Sequence, residues 1–285
     1  MAQCTFKRYE KKYLLTPAQY EAVRTGMESH MVPDAYSHYT ICNVYYDTDD
    51  FSLIRTSLDK PVYKEKLRVR SYGVASDDSK AFVELKKKYE GVVYKRRVVM
   101  GAADAVAYLE GRVPEQETQI HREIDWFMKS YRPTPKAFIA YDREAYAGRD
   151  NPDLRITFDT NLRGRMERVD LRSGDDGQPI LDGNQILMEI KIPGAAPLWL
   201  ARLLSENQIF STSFSKYGAY YKKYAFRDAA AQFAPAYRTV SESAPQYQPA
   251  YDAATQYQAA YNAATQYQAA YESAPQYQKG VLSVA

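Results

Sequence analysis

The tripeptide Glu-x-Lys occurs three times in strand-like sequence, as Glu10/Lys12, Glu84/Lys86 and Glu189/Lys191. Successive side chains of a strand point to opposite faces, so both members of each pair project together. Other basic residues follow the same phase. Lys64, Lys66, Arg68 and Arg70 share one face of KEKLRVRSY, and Leu67 and Val69 take the other. Arg8 joins Glu10 and Lys12 in RYEKKYLL, and Lys88 joins Glu84 and Lys86 in FVELKKKYEG, opposite Val83 and Leu85. LRITFDTNL sets Arg155, Thr157 and Asp159 against Leu154, Ile156 and Phe158; LMEIKIP sets Glu189 and Lys191 against Met188, Ile190 and Ile192. After Gly91, YKRRVV adds Lys95 and Arg97, with Arg96 on the other side.

Any one of these strands is adequately explained by a half-buried antiparallel strand with its charges in water. Repetition argues for more. Like charges facing one another on paired strands repel. Several such strands in one sheet therefore need an anion, or interleaved carboxylates, to neutralise them. The ligand that fits is a compact polyanion with several phosphates, for which Arg supplies bidentate geometry and Lys a mobile point charge.

These faces must be positioned by the rest of the fold. The reading that reconciles them is an α+β protein with a closed antiparallel β-barrel, apolar faces outward against helices and charged faces inward. A barrel of about eight strands encloses room for side chains or one small ligand. Its basic lining would focus a positive potential in a confined space, and a long duplex nucleic acid would not fit. The helices are signalled by Thr16-Pro17 ahead of Tyr20, Val23 and Met27, by Ala102 to Glu110 ending at Gly111, and by Ile120, Ile124 and Phe127 before Pro133. Pro197 opens another with Trp199, Leu200, Leu203 and Leu204, and a last one from Lys216 bears Tyr217, Tyr220, Tyr221 and Tyr224. Such stripes read as packing surfaces.

Composition agrees. With 45% hydrophobic and 26% charged residues, the 285-residue chain is globular in class, and its net charge of +3 supplies no global field for nucleic acid. The charged opening MAQCTFKRYEKKYLL does not read as a signal peptide, and there is no apolar run of membrane-spanning length. Cys4 and Cys42 have no metal or redox spacing, which suits free thiols in a reducing compartment and so the cytoplasm. His30, His38 and His121 lie in no catalytic spacing, and no Walker-type glycine loop is present. Composition then changes after about Phe226. Residues 229–285 repeat Tyr, Gln and Ala every ten residues, with almost no Leu, Ile, Val or Phe, and are expected to be a disordered tail beyond a domain at 1–228. Such a tail could tether, self-associate or bind a partner.

Taken in order, RYEKKYLL, VYYDTDD, LRVRSYG, VELKKK, YKRR, YDREAY, RITFDTNL, MEIKIP and FSKY resemble the polyphosphate polymerase domain of vacuolar transporter chaperone (VTC) proteins, in the triphosphate tunnel (CYTH-like) metalloenzymes. The resemblance runs from about Phe6 to Phe226. It implies transfer of the terminal phosphate of a nucleoside triphosphate, ATP by expectation, to a growing polyphosphate chain, with Mn2+ or Mg2+. Carried onto this sequence, it makes Lys12, Arg68, Arg70, Lys86, Lys95, Arg143, Arg155 and Lys216 the phosphate-contacting residues of catalysis and Glu189 the metal ligand. Glu10, Glu84, Lys66, Lys88 and Lys191 share the same faces and are expected to help bind substrate. Phosphoryl transfer needs positioning and charge neutralisation more than covalent help from the protein, which is consistent with the lack of a His or Cys nucleophile. Family members fused to a phosphate-sensing domain and membrane spans differ from this sequence, so regulation by a fused sensor is not expected. A separate membrane partner, with the tail as tether, stays open. So do two other readings: a triphosphatase using water as acceptor, and a non-catalytic polyphosphate-binding module.

Overall fold

The computed structural model describes residues 8–90 and 92–225. The repeat segment 229–285, the domain boundary expected at 228, and Cys4 lie outside the described residues. Strands β1 (Arg8–Leu15), β9 (Ile186–Pro193), β7 (Arg155–Arg165), β6 (Thr134–Gly148), β2 (Met31–Asp47), β3 (Tyr63–Tyr72), β4 (Lys80–Tyr89) and β5 (Val92–Gly101) follow one another in a single antiparallel sheet, with the two-residue β8 (Gln178–Pro179) on β7. The helices are α1 (Pro17–Met27), α2 (Ser52–Leu58), α3 (Ala102–Leu109), α4 (Gln119–Tyr131), α5 (Leu198–Glu206) and α6 (Lys216–Tyr220), the last continued by a π-helical turn, Tyr221–Ala225. This is an antiparallel α+β fold. Among the described residues, no helix is long and apolar enough to cross a membrane.

The closed barrel expected from the sequence is met only in part. Among the described residues β5 and β1, the two ends of the hydrogen-bonded path, do not pair. Part of the free edge of β1 is taken instead by the segment entering α6, where Thr212 N donates to Lys12 O at 2.7 Å. The sheet nevertheless curls far enough to bring β4, next to one end of the path, toward β1 at the other. Lys86 on β4 lies within electrostatic reach of Glu10 and Lys12 on β1.

Alternation decides what each face packs against. On the outer face, Cys42, Val44, Leu67, Val69, Val83 and Leu85 form a core with Ala105 and Leu109 of α3 and Ile124 and Phe127 of α4. Tyr13, Leu15, Ile156, Phe158, Met188 and Ile190 form a second with Val23 and Met27 of α1 and Leu200 of α5. The Thr16-Pro17 start is a capping box completed by Gln19. Arg24 of α1 docks on Glu144 of β6 at 2.7 Å. The inner face is not charged throughout. Ile41, Tyr45, Ile139, Tyr141 and Leu187 pack there against Tyr217, Tyr220 and Tyr221, so α6 and its continuation fill one part of the space the sheet encloses. Asp47 anchors this packing: it accepts from the backbone of Leu53 and Ile54 at the start of α2 and from the Tyr217 hydroxyl at 3.0 Å.

Candidate functional site

The inner face carries two carboxylate centres and a row of lysines. In the first, strand pairing sets Lys12 opposite Glu189 and Glu10 opposite Lys191. Glu189 meets Lys216 at 2.9 Å, Arg143 at 3.4 Å, Lys12 at 3.7 Å and Lys191 at 4.0 Å. Burial alone would raise the Glu189 carboxyl, but Lys216, Lys12, Arg143 and Lys191 together hold it well below the carboxylate range. Asp159 completes this centre. The Arg143 guanidinium grips it with two bonds, at 2.5 and 2.6 Å, and Lys216 reaches it at 2.6 Å. This pairing raises the Lys216 ammonium despite its burial.

The second centre is Glu84, 2% exposed, which Arg68 contacts at 2.7 Å, Lys95 at 2.5 Å and Arg70 at 3.8 Å. Burial opposes its ionisation, yet Arg68, Arg70 and Lys95 bring its carboxyl down to about 2. Arg68 also donates to the Tyr45 hydroxyl, and Arg70 to Asn43 and to the Tyr141 hydroxyl.

Next to the Glu84 row, the β3–β4–β5 register places Lys66, Lys86 and Lys95 side by side, with Lys64 and Lys88 next in line. Among the described residues, Lys95 alone of these five has a carboxylate within ion-pair distance. Burial, followed by Lys64, Lys86, Lys12 and Arg68, pushes the Lys66 ammonium down to about 7. Its nitrogen donates to Ser215 Oγ at 3.2 Å, linking the row to the start of α6. Lys86 is exposed as a residue, yet desolvation of its ammonium, partly offset by Glu10 and Glu189, lowers it to about 8. Like charges are therefore stacked across three strands and, being buried, are destabilised in their charged form.

Most sequence-predicted residues converge on this face. Lys12, Arg68, Arg70, Lys86, Lys95, Arg143, Lys216, Lys66, Lys191, Glu10, Glu84 and Glu189 surround one space, and Lys88 lies toward its end. Arg155 stands apart. It is on the same face of β7, but its guanidinium pairs with Asp34 at 3.1 Å and is half exposed. Sequence reasoning did not single out Asp159, Asn43, Tyr45, Tyr141 or Ser215. Asp159 was signalled only by sharing a face with Arg155 and Thr157, and the tyrosines are indistinguishable from core in sequence.

The donor set bears on a metal. Among the described residues, no three His, Cys, Asp or Glu side chains are grouped so that they could hold an ion. Glu189 and Asp159 lie on adjacent strands and are bridged by Arg143 and Lys216. A hard cation such as Mg2+ takes one or two carboxylates and completes its shell with water and substrate phosphates. Glu189 and Asp159 are the carboxylates that would hold such a cation, and both are engaged by Arg143 and Lys216 in this structure.

Fold and site together define a class of protein: an antiparallel α+β domain that turns a densely basic sheet face onto an enclosed space. Within that class, this chain belongs to the VTC domain family, whose model matches residues 7–224. A search of curated proteins finds no match. Among solved structures, the chain is similar to a proposed adenylate cyclase from Bacillus halodurans, at 13% identity and a TM-score of 0.44 over 72% of this chain and 92% of that one. It is similar also to a proposed adenylyl cyclase from Hippeastrum described as having a dominant triphosphatase activity, at 15% identity and a TM-score of 0.44 over 77% and 95%. A third, a proposed adenylate cyclase from Vibrio parahaemolyticus, is 13% identical with a TM-score of 0.41 over 76% and 98%.

Proposed function

We propose that this chain is a polyphosphate polymerase that binds a nucleoside triphosphate and a polyphosphate end inside its curled sheet, which acts as a tunnel. The observation that carries the reading is the row Lys66, Lys86 and Lys95 set side by side by strand pairing, with Lys12 near it, in which burial and the neighbouring cations lower two ammonium groups to about 7 and 8. Phosphate oxygens placed there relieve that repulsion. Arg68, Arg70 and Arg143 are held by carboxylates and tyrosines in fixed orientations, so they meet the ligand with little ordering cost. In the reaction, the bond from the terminal phosphorus to its bridging oxygen breaks, and a new bond forms to a terminal oxygen of the chain. The nucleoside diphosphate leaves. The attacking oxygen is already ionised near neutral pH, so the protein's tasks are alignment, neutralisation and exclusion of water. Glu189 and Asp159 would hold Mn2+ or Mg2+, which supplies Lewis-acid neutralisation of phosphate charge when bound.

A second reading, hydrolysis of short triphosphates, is favoured by one feature. Tyr217, Tyr220 and Tyr221 fill part of the enclosed space, which suits a short substrate better than a chain passing through. One experiment separates the two. Purified protein is incubated with ATP and Mn2+, and the products are resolved on a gel stained for polyphosphate. A ladder supports the polymerase. Orthophosphate or short phosphates alone support hydrolysis, and no turnover leaves a binding module.

A further inference from the structure

Thr157 sits in the middle of β7 on the inner face, 9% exposed, and its Oγ1 has no hydrogen-bond partner. A buried hydroxyl without a partner costs folding energy, so its retention calls for a physical account. Strand pairing puts Thr157 between Glu189 on β9 and Ala145 on β6, in a row that continues from Lys12. Directly paired residues have Cβ atoms about 5 Å apart. Yet the Glu189 oxygens are engaged by Lys216, Arg143 and Lys12, and the Thr157 hydroxyl does not hydrogen-bond to them. Ala145 is the small member of the row and is itself buried, 4% exposed. The flanking inner-face positions are Arg155 and Asp159 on β7 and Lys191 and Leu187 on β9; the Arg155 guanidinium turns to Asp34, so Lys191 is the flanking cation beside Glu189.

We propose that the Thr157 hydroxyl is a direct donor to an oxygen of the bound condensed phosphate, and that it fixes where along the lysine-lined face a phosphoryl group comes to rest. The inference rests on the condensed-phosphate reading above and deepens it. A hydroxyl is suited to the place because the cations supply attraction without precise register, whereas a short β-branched donor on a central strand has a narrow range of positions. Its orphan state then follows, because the partner is the ligand.

The test uses inorganic tripolyphosphate as probe and compares the full chain with Thr157→Val and Thr157→Ser, by calorimetric titration in chelated, metal-free buffer and again with Mn2+. Valine removes the hydroxyl and keeps the branched shape, so Thr157→Val melts at or above the parent temperature without ligand. A residue whose hydroxyl matters only for folding would not separate the two readouts. The expected result is about tenfold or more weaker binding by Thr157→Val with and without Mn2+, as loss of a hydrogen bond to a charged group implies, with Thr157→Ser close to the parent. Undiminished affinity of Thr157→Val overturns the inference, as does a loss seen only with Mn2+, which would make the hydroxyl a cation ligand. If the parent protein itself does not bind tripolyphosphate, the condensed-phosphate reading fails first, and this inference with it.

Discussion

Replacing Glu84 with Gln should destabilise the free protein strongly and the ligand-bound protein much less. The carboxylate lies 2.5–2.8 Å from Lys95 and Arg68, is 2% exposed, and titrates at about 2 against an ordinary 4.5. That difference corresponds to roughly 3 kcal/mol of folding stability at neutral pH. Because the folded-state value lies below the unfolded one, the contribution is complete above pH 4.5 and is lost as pH falls toward about 2. For a domain of this size 1 kcal/mol moves the melting temperature by about 2–4 °C, so Glu84→Gln should melt roughly 6–12 °C below the parent at pH 7. Glutamine keeps the shape and loses the charge, leaving Arg68, Arg70 and Lys95 to repel one another. Saturating tripolyphosphate supplies the missing negative charge and should close most of the gap. The assay is thermal unfolding at low salt, with and without ligand, at pH 7 and at pH 4. Two results would refute the reasoning: a variant within about 2 °C of the parent, or a gap that ligand leaves unchanged.

Further consequences are equally specific. Lys66 and Lys86 lie near 7 and 8 when free, so binding a polyanion at pH 8.5 should raise both and draw protons from solution. Calorimetry in buffers of differing ionisation enthalpy should register that uptake, and Lys66→Met should reduce it. Glu189→Ala should abolish Mn2+-dependent turnover while leaving the circular dichroism spectrum intact; unchanged activity would remove Glu189 from the metal assignment. At Gly164 an added Cβ would lie 2.7 Å from both Ile139 and Tyr220. Gly164→Ala should therefore unseat the C-terminal end of α6 and cost about 1–3 kcal/mol, measured by urea denaturation.

Much of the charged face was legible because the strand period is two and the facing apolar residues are unmistakable. Lys64 to Arg70 and Glu84 to Lys88 could be assigned to one face from sequence alone. Their meaning could not, because a single strand does not say whether its charged face meets water or another strand's charges. What was illegible is non-local. Ile41, Ile139 and Leu187 share the inner face with Asn43, Arg143 and Glu189 of their own strands, so nothing in the alternation marks them as apolar neighbours of α6. Helix α2 is seven residues with no side-chain cap, and it is fixed by Asp47 rather than by its own periodicity. Asp159 gains its role only by meeting Arg143 across β6 and β7. The open path between β5 and β1 also escaped notice, since the segment near Thr212 that occupies part of the β1 edge has no strand pattern.

The central claim is that condensed phosphate occupies the inner face of the sheet. Lysine acetylation footprinting by mass spectrometry, with and without tripolyphosphate, tests it most directly. The account predicts that ligand protects Lys12, Lys66, Lys86 and Lys95 while Lys129 on α4 reacts as before. Equal protection of Lys129, or no protection of Lys66 and Lys86, would contradict it.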